Sequence, residues 1–115
     1  MTTREPLAER VLACITTFHC GRHAGITADD LAHALDASPR RVRRAVTLLR
    51  EQGTPICGTP ETGYFRANTR EELAETCQFL RHRALTSLTL EARLRRLPLS
   101  ELLGQVAIDL KEETG

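Results

Sequence analysis

Between Ser38 and Arg50 the chain carries five arginines, Arg40, Arg41, Arg43, Arg44 and Arg50, and no acid. A guanidinium is planar, permanently charged and presents its donors as a fork, so it pairs with phosphate oxygens or with the O6 and N7 edge of guanine through two parallel hydrogen bonds. The formal net charge of +1, from 16 basic and 15 acidic side chains, hides this concentration. A local positive field survives a near-neutral total.

Other residues with chemical potential point nowhere as clearly. Cys14, His19, Cys20 and His23 are all metal-ligand types, but their spacing lacks the paired pattern of a zinc site, and Cys14 falls on an apolar stripe. Cys14 and Cys77 are therefore expected as small buried hydrophobes, without a metal. The scattered cysteines Cys14, Cys20, Cys57 and Cys77 suggest reduced thiols rather than bridges. Asp29-Asp30 and Glu71-Glu72 lie at helix starts, where the helix dipole accounts for them. With no glycine-rich phosphate loop and no nucleophile motif, neither an enzyme nor a cofactor is expected. Residues Met1 to Pro6 lack the apolar stretch of a secretion signal, and no apolar run approaches the roughly 20 residues of a membrane span, so the chain is expected in the cytoplasm.

The elements that must hold the arginines can be read from periodicity and end signals. Leu7, Val11, Cys14, Ile15 and Phe18 recur at helical spacing, predicting a first helix over about 5–18 with one buried stripe. Residues 19–25, with Gly21 and Gly25, predict a loop. Thr27 fits an N-cap for a short helix over about 28–35, with Ile26 and Leu31 placed as a hydrophobic staple. After Asp36-Ala37, Ser38 is a second N-cap and Pro39 occupies the first helical position, where its missing N–H costs nothing. This helix should last until Gly53. Thr54 to Cys57 and Gly63 to Arg66 are short strand candidates joined by the turn-forming residues 58–62. Thr69 and Glu72 form a capping box for a long helix, whose seam Leu73, Cys77, Leu80, Ala84 and Leu88 runs on until Pro98. Leu99, Leu102, Leu103, Val106 and Leu110 predict a last amphipathic helix.

At 100° per residue, Val42, Ala45, Val46 and Leu49 share one face of the second short helix, directed at the core. Arg40, Arg44, Thr47 and Glu51 point the opposite way, with Arg43 and Arg50 on one flank and Arg41 on the other. Two short helices joined by a tight turn, the second cationic outside, match what reading the roughly 12 Å wide major groove of duplex DNA requires. Arg40 and Arg44 are placed for base edges and Thr47 for a thymine methyl. Arg41, Arg43, Arg50 and the hydroxyls of Ser38 and Thr27 are placed for phosphates.

The pattern Ile26-Thr27-x-x-x-Leu31-Ala32-x-x-Leu35-x-x-Ser38-x-x-x-Val42-x-x-x-Val46-x-x-Leu49-x-x-x-Gly53, followed by Pro55-Ile56 and Gly63-Tyr64-Phe65, resembles the winged helix-turn-helix domains of bacterial biotin-operon and deoxyribose-operon repressors. The resemblance spans residues 25–67, 43 of 115. It implies a mainly α fold with a small β-hairpin wing, residues 38–52 as the recognition helix in the major groove, and sequence-specific double-stranded DNA binding by a small transcriptional regulator. Two departures stand out. Asp36 replaces the usual turn glycine, and the wing tip Thr59-Pro60-Glu61-Thr62 has an acid and no base. Residues 1–67 are expected to form the DNA-binding domain and residues 68–115 a helical extension. That extension supplies either a homodimer surface or an intrachain partner for the first helix. A winged-helix protein-contact module of a replication or phage assembly is the alternative function.

Overall fold

The computed structural model describes residues 5–114. The reading of the extreme N-terminus as free of a secretion signal rests partly on residues 1–4, outside that range. The elements follow in the order α1 (Pro6–Phe18), a single 3-10 turn (Arg22–Ala24), α2 (Ala28–Leu35), α3 (Pro39–Glu51), β1 (Ile56–Thr59), β2 (Gly63–Arg66), α4 (Arg70–Arg95) and α5 (Leu99–Thr114). This is a mainly α fold with a small two-stranded wing, as the sequence implies. The chain divides into two compact units, one ending at Cys77 and the other starting at Gln78.

In the first unit, three helices close around one core. Glu5 caps α1 by accepting from the Ala8 N–H at 3.1 Å, and Pro6 opens the helix. Leu7, Ala8, Val11 and Ile15 of α1 pack with Leu31 and Ala32 of α2, Val42, Ala45, Val46 and Leu49 of α3, and Ile56 of β1. Each large aliphatic side chain here contributes about 1.5–3 kcal/mol by leaving water. Phe18 departs from expectation. It shares the α1 stripe by periodicity, yet it is the last helical residue, beyond the core residue Ile15, and is 72% exposed.

The wing pairs Ile56 with Arg66 through Thr59 with Gly63. β1 therefore starts two residues later than its predicted position, because Pro55 has no N–H to give a ladder. On its other side β2 is tied to the segment before α2. The Ile26 N–H donates to the Tyr64 carbonyl at 2.9 Å and the Tyr64 N–H to the Ile26 carbonyl at 2.7 Å. The Gly21 N–H reaches Arg66 at 2.8 Å, and the Arg66 N–H reaches His19 at 2.7 Å. Gly63, at φ +73°, makes the close approach feasible, since a Cβ there would lie 2.6 Å from the Ile26 carbonyl carbon.

The start of α4 belongs to this unit. Thr69 accepts from the Glu72 N–H at 3.1 Å, while the Glu72 carboxylate accepts from the Asn68 N–H at 2.7 Å and the Arg22 N–H at 2.8 Å. These bonds, the Arg22 N–H foremost, hold the Glu72 carboxyl below the usual range. Thr76 is buried and accepts from the Gly58 N–H of β1 at 3.0 Å.

The second unit holds the remainder of α4 and α5. α4 ends where Arg96 turns left-handed at φ 56°, with the Leu97 N–H donating back to Ala92 at 2.9 Å. Ala92 and Leu102 are its buried apolar residues among those described. Of the predicted seam of α4, Leu73, Cys77, Leu80 and Ala84 are exposed and Leu88 is half-buried. Cys77 is thus a surface thiol, contrary to the expectation of a buried one, while Cys14 is half-buried against the core.

Candidate nucleic-acid interface

The geometry of α2 and α3 is set by their ends. Thr27 Oγ1 accepts from the Asp30 N–H at 3.1 Å, and Ser38 Oγ accepts from the Arg41 N–H at 3.2 Å. Each hydroxyl keeps its own hydrogen to donate outward. Between them Asp36 adopts the left-handed conformation, φ 51° and ψ 52°, that glycine usually supplies. The Ala37 N–H returns to Ala32 at 2.9 Å, and the Arg10 guanidinium satisfies the Leu35 carbonyl at 2.9 Å. The corner between the helices therefore has its backbone groups paired, and α3 leaves it in a defined direction.

With Val42, Ala45, Val46 and Leu49 buried, Arg40, Arg41, Arg43, Arg44 and Thr47 are all exposed. Among the described residues Arg40, Arg43 and Arg44 make no ion pair. Arg41 lies 3.9 Å from Glu5, with both side chains largely in solvent. Such a contact contributes under about 1 kcal/mol and leaves Arg41 able to change partner. The Thr47 hydroxyl donates to the Arg43 carbonyl at 3.1 Å, so its polar atom is already engaged with the helix. On the Arg41 and Arg44 flank an open groove of about 780 Å³ has Leu7, Ala45 and Leu48 in its lining and Glu5 and Glu51 beside the arginines.

Arg50 differs from its neighbours in that its guanidinium is turned toward the wing. Its Nε donates to the Ile56 carbonyl at 2.8 Å, its guanidinium lies over the Tyr64 ring at 5.8 Å, and one terminal nitrogen is buried. It joins the end of α3 to both strands of the wing. Periodicity places a residue on a helix flank, but whether a long side chain there turns outward or inward depends on the neighbouring element.

The hairpin tip is compact. The Thr59 N–H donates to Thr62 Oγ1 at 2.9 Å, and the Thr62 hydroxyl donates to the Gly63 carbonyl at 3.0 Å, while Pro60 and Glu61 face solvent. An acid there offers nothing to a phosphate. Sequence reasoning also missed Glu72 on Arg22 and Thr76 on Gly58, since both bonds are tertiary and leave no periodic trace. The Cys57 thiol is held above its usual value, chiefly by burial. Among the described residues no cluster of three or more potential ligands could hold a metal ion. No helix among them is long and apolar enough to cross a membrane.

Residues 21–65 match the family model for a helix-turn-helix domain. No curated protein and no solved structure matches the chain. The matched span starts at the loop that flanks β2, contains both capped helices and ends within the hairpin. Residues 21–65 thus carry a helix-turn-helix domain, and the hairpin behind α3 is consistent with one of the winged kind.

Proposed function

We propose that this chain is a small, non-enzymatic transcriptional regulator of the cytoplasm that binds double-stranded DNA sequence-specifically and without a cofactor. The observation that carries this reading is the outward set of arginines on α3, which no acid of the helix offsets before Glu51. Like charges at neighbouring helical positions weaken a helix slightly, so an all-cationic face is a cost that a polyanionic partner offsets. Inserted in the major groove, α3 directs Arg40 and Arg44 at base edges, with the Thr47 methyl toward a thymine. Arg41 and Arg43, helped by the free hydroxyl hydrogens of Ser38 and Thr27, grip phosphates. Arg50 keeps the wing against α3 instead. Residues 1–67 supply this contact, and residues 68–115 join two copies into a homodimer that occupies two half-sites.

Duplex titration at low and physiological salt tests the reading. Affinity should fall steeply with salt, with a log–log slope of about −0.9 per phosphate contacted. Arg41→Ala should flatten that slope by close to one contact, and Arg44→Ala should weaken binding and relax sequence preference by about 1–3 kcal/mol. Arg50→Ala should weaken binding without flattening the slope. Absent or salt-insensitive binding would favour the protein-contact module instead.

A further inference from the structure

The second unit leaves more apolar surface open than its two helices can afford. α5 spans 16 residues, a length at which an isolated helix is marginal in water. Of its apolar side chains only Leu102 is buried, while Leu103, Ile108 and Leu110 are 37%, 53% and 55% exposed. On α4, Leu90 and Leu94 are 55% and 86% exposed. Exposed apolar side chains on successive turns mark an interaction site where they join into one patch.

The charges say what kind of cover. Arg83, Leu90 and Arg93 lie on one exposed face of α4, a cation at each end and a leucine between. Glu101, Ile108 and Glu112 lie on one exposed face of α5, an acid at each end and an isoleucine between. The two stripes have nearly the same length, about 15 and 16.5 Å at 1.5 Å per residue. Leu90 and Arg93 also border a shallow depression of about 230 Å³ along α4. Among the described residues, no ion pair joins an arginine of α4 to an acid of α5 within the chain. The ion pair of α4, Arg95 with Glu91, and the Gln105–Asp109 bond of α5 both stay within one helix.

We infer that the second unit pairs with that of a second copy of this chain, the Arg83, Leu90 and Arg93 face of α4 meeting the Glu101, Ile108 and Glu112 face of the partner copy's α5. A two-fold axis uses such a complementary pair twice, so one chain carrying both stripes has what it needs to associate with itself. Opposite charges flanking an apolar centre fix the pairing and disfavour α4 against α4, which would set arginines together. This deepens, and rests on, the homodimer part of the function proposed above.

Sedimentation equilibrium of the full chain and two charge-reversed variants tests it. The wild type should be dimeric. Arg83→Glu with Arg93→Glu, and separately Glu101→Arg with Glu112→Arg, should each weaken association by roughly a hundredfold or more. Mixing the two variants in equal amounts should restore a dimer, because each reversed stripe then meets an opposite one across the interface. A mixture that stays monomeric overturns the pairing. Variants that remain dimeric on their own overturn it while leaving the homodimer reading intact, whereas a monomeric wild type removes both. Duplex binding measured on the same samples at low salt reports separately on the DNA-binding reading.

Discussion

The three helices of the first unit and the two of the second are built from the same kinds of residue, yet they use their leucines differently. In α1, α2 and α3 nearly every large aliphatic on the inner stripe is sealed, with Leu31, Val42 and Leu49 at 0% exposure. In the second unit Leu90, Leu94, Ile108 and Leu110 stand more than half in solvent. The difference teaches that amphipathic periodicity guarantees an apolar face but not the element that covers it. Where three helices cross over a common centre, the cover is local. Where a long helix is followed by one other, much of the apolar face stays open.

The sharpest way to break this contrast is to truncate a leucine of each kind. Leu49→Ala should cost about 2–5 kcal/mol in urea unfolding, because the surrounding helices can collapse only partly into the space. Leu94→Ala should change the unfolding of the first unit by less than about 0.5 kcal/mol. Equal losses would show that the two regions are not distinct in this sense.

A smaller effect comes from the backbone seam that lets the wing share the first unit's order. Gly63→Ala adds a Cβ against the Ile26 and Thr27 backbone at a left-handed φ of +73°, and should cost at least about 1–2 kcal/mol. Thermal melts with a wing-sensitive probe such as Tyr64 fluorescence would check it, and an unchanged melt would mean that the seam is dispensable.

The smallest effect concerns pH. Because Glu72 is depressed in the folded chain, its contribution is present above the ordinary glutamate range and fades as pH falls through the lower folded value. Glu72→Gln should therefore lose stability near neutrality and show a shallower decline in acid, read from melting temperatures across that range. A variant with the wild-type acid profile would show that the carboxylate clip on Arg22 and Asn68 does not matter.

Much of the first unit was legible because helix ends carry their own chemistry. Thr27, Ser38 and Pro39 mark the starts of α2 and α3, and the buried spacing of Val42, Val46 and Leu49 turns the arginines outward before any tertiary information is needed. The short distance between Gly53 and Gly63 announces a hairpin. What escaped was set by contacts between distant segments: the pairing of Ile26 with Tyr64, the shift of β1 caused by Pro55, the inward turn of Arg50, and the exposure of Phe18 and Cys77. None of these alters a periodic pattern, so a pattern alone cannot reveal them.

The bond from the Gly58 N–H to Thr76 has a further consequence for how copies of this chain can meet. β2 lies inside the small sheet, flanked by β1 and by Ile26, so the rim open to newcomers is the far side of β1. A threonine hydroxyl is lodged on that rim, where an incoming strand would have to dock. Strand-to-strand stacking between molecules is obstructed there, which discourages fibrous aggregation through the wing.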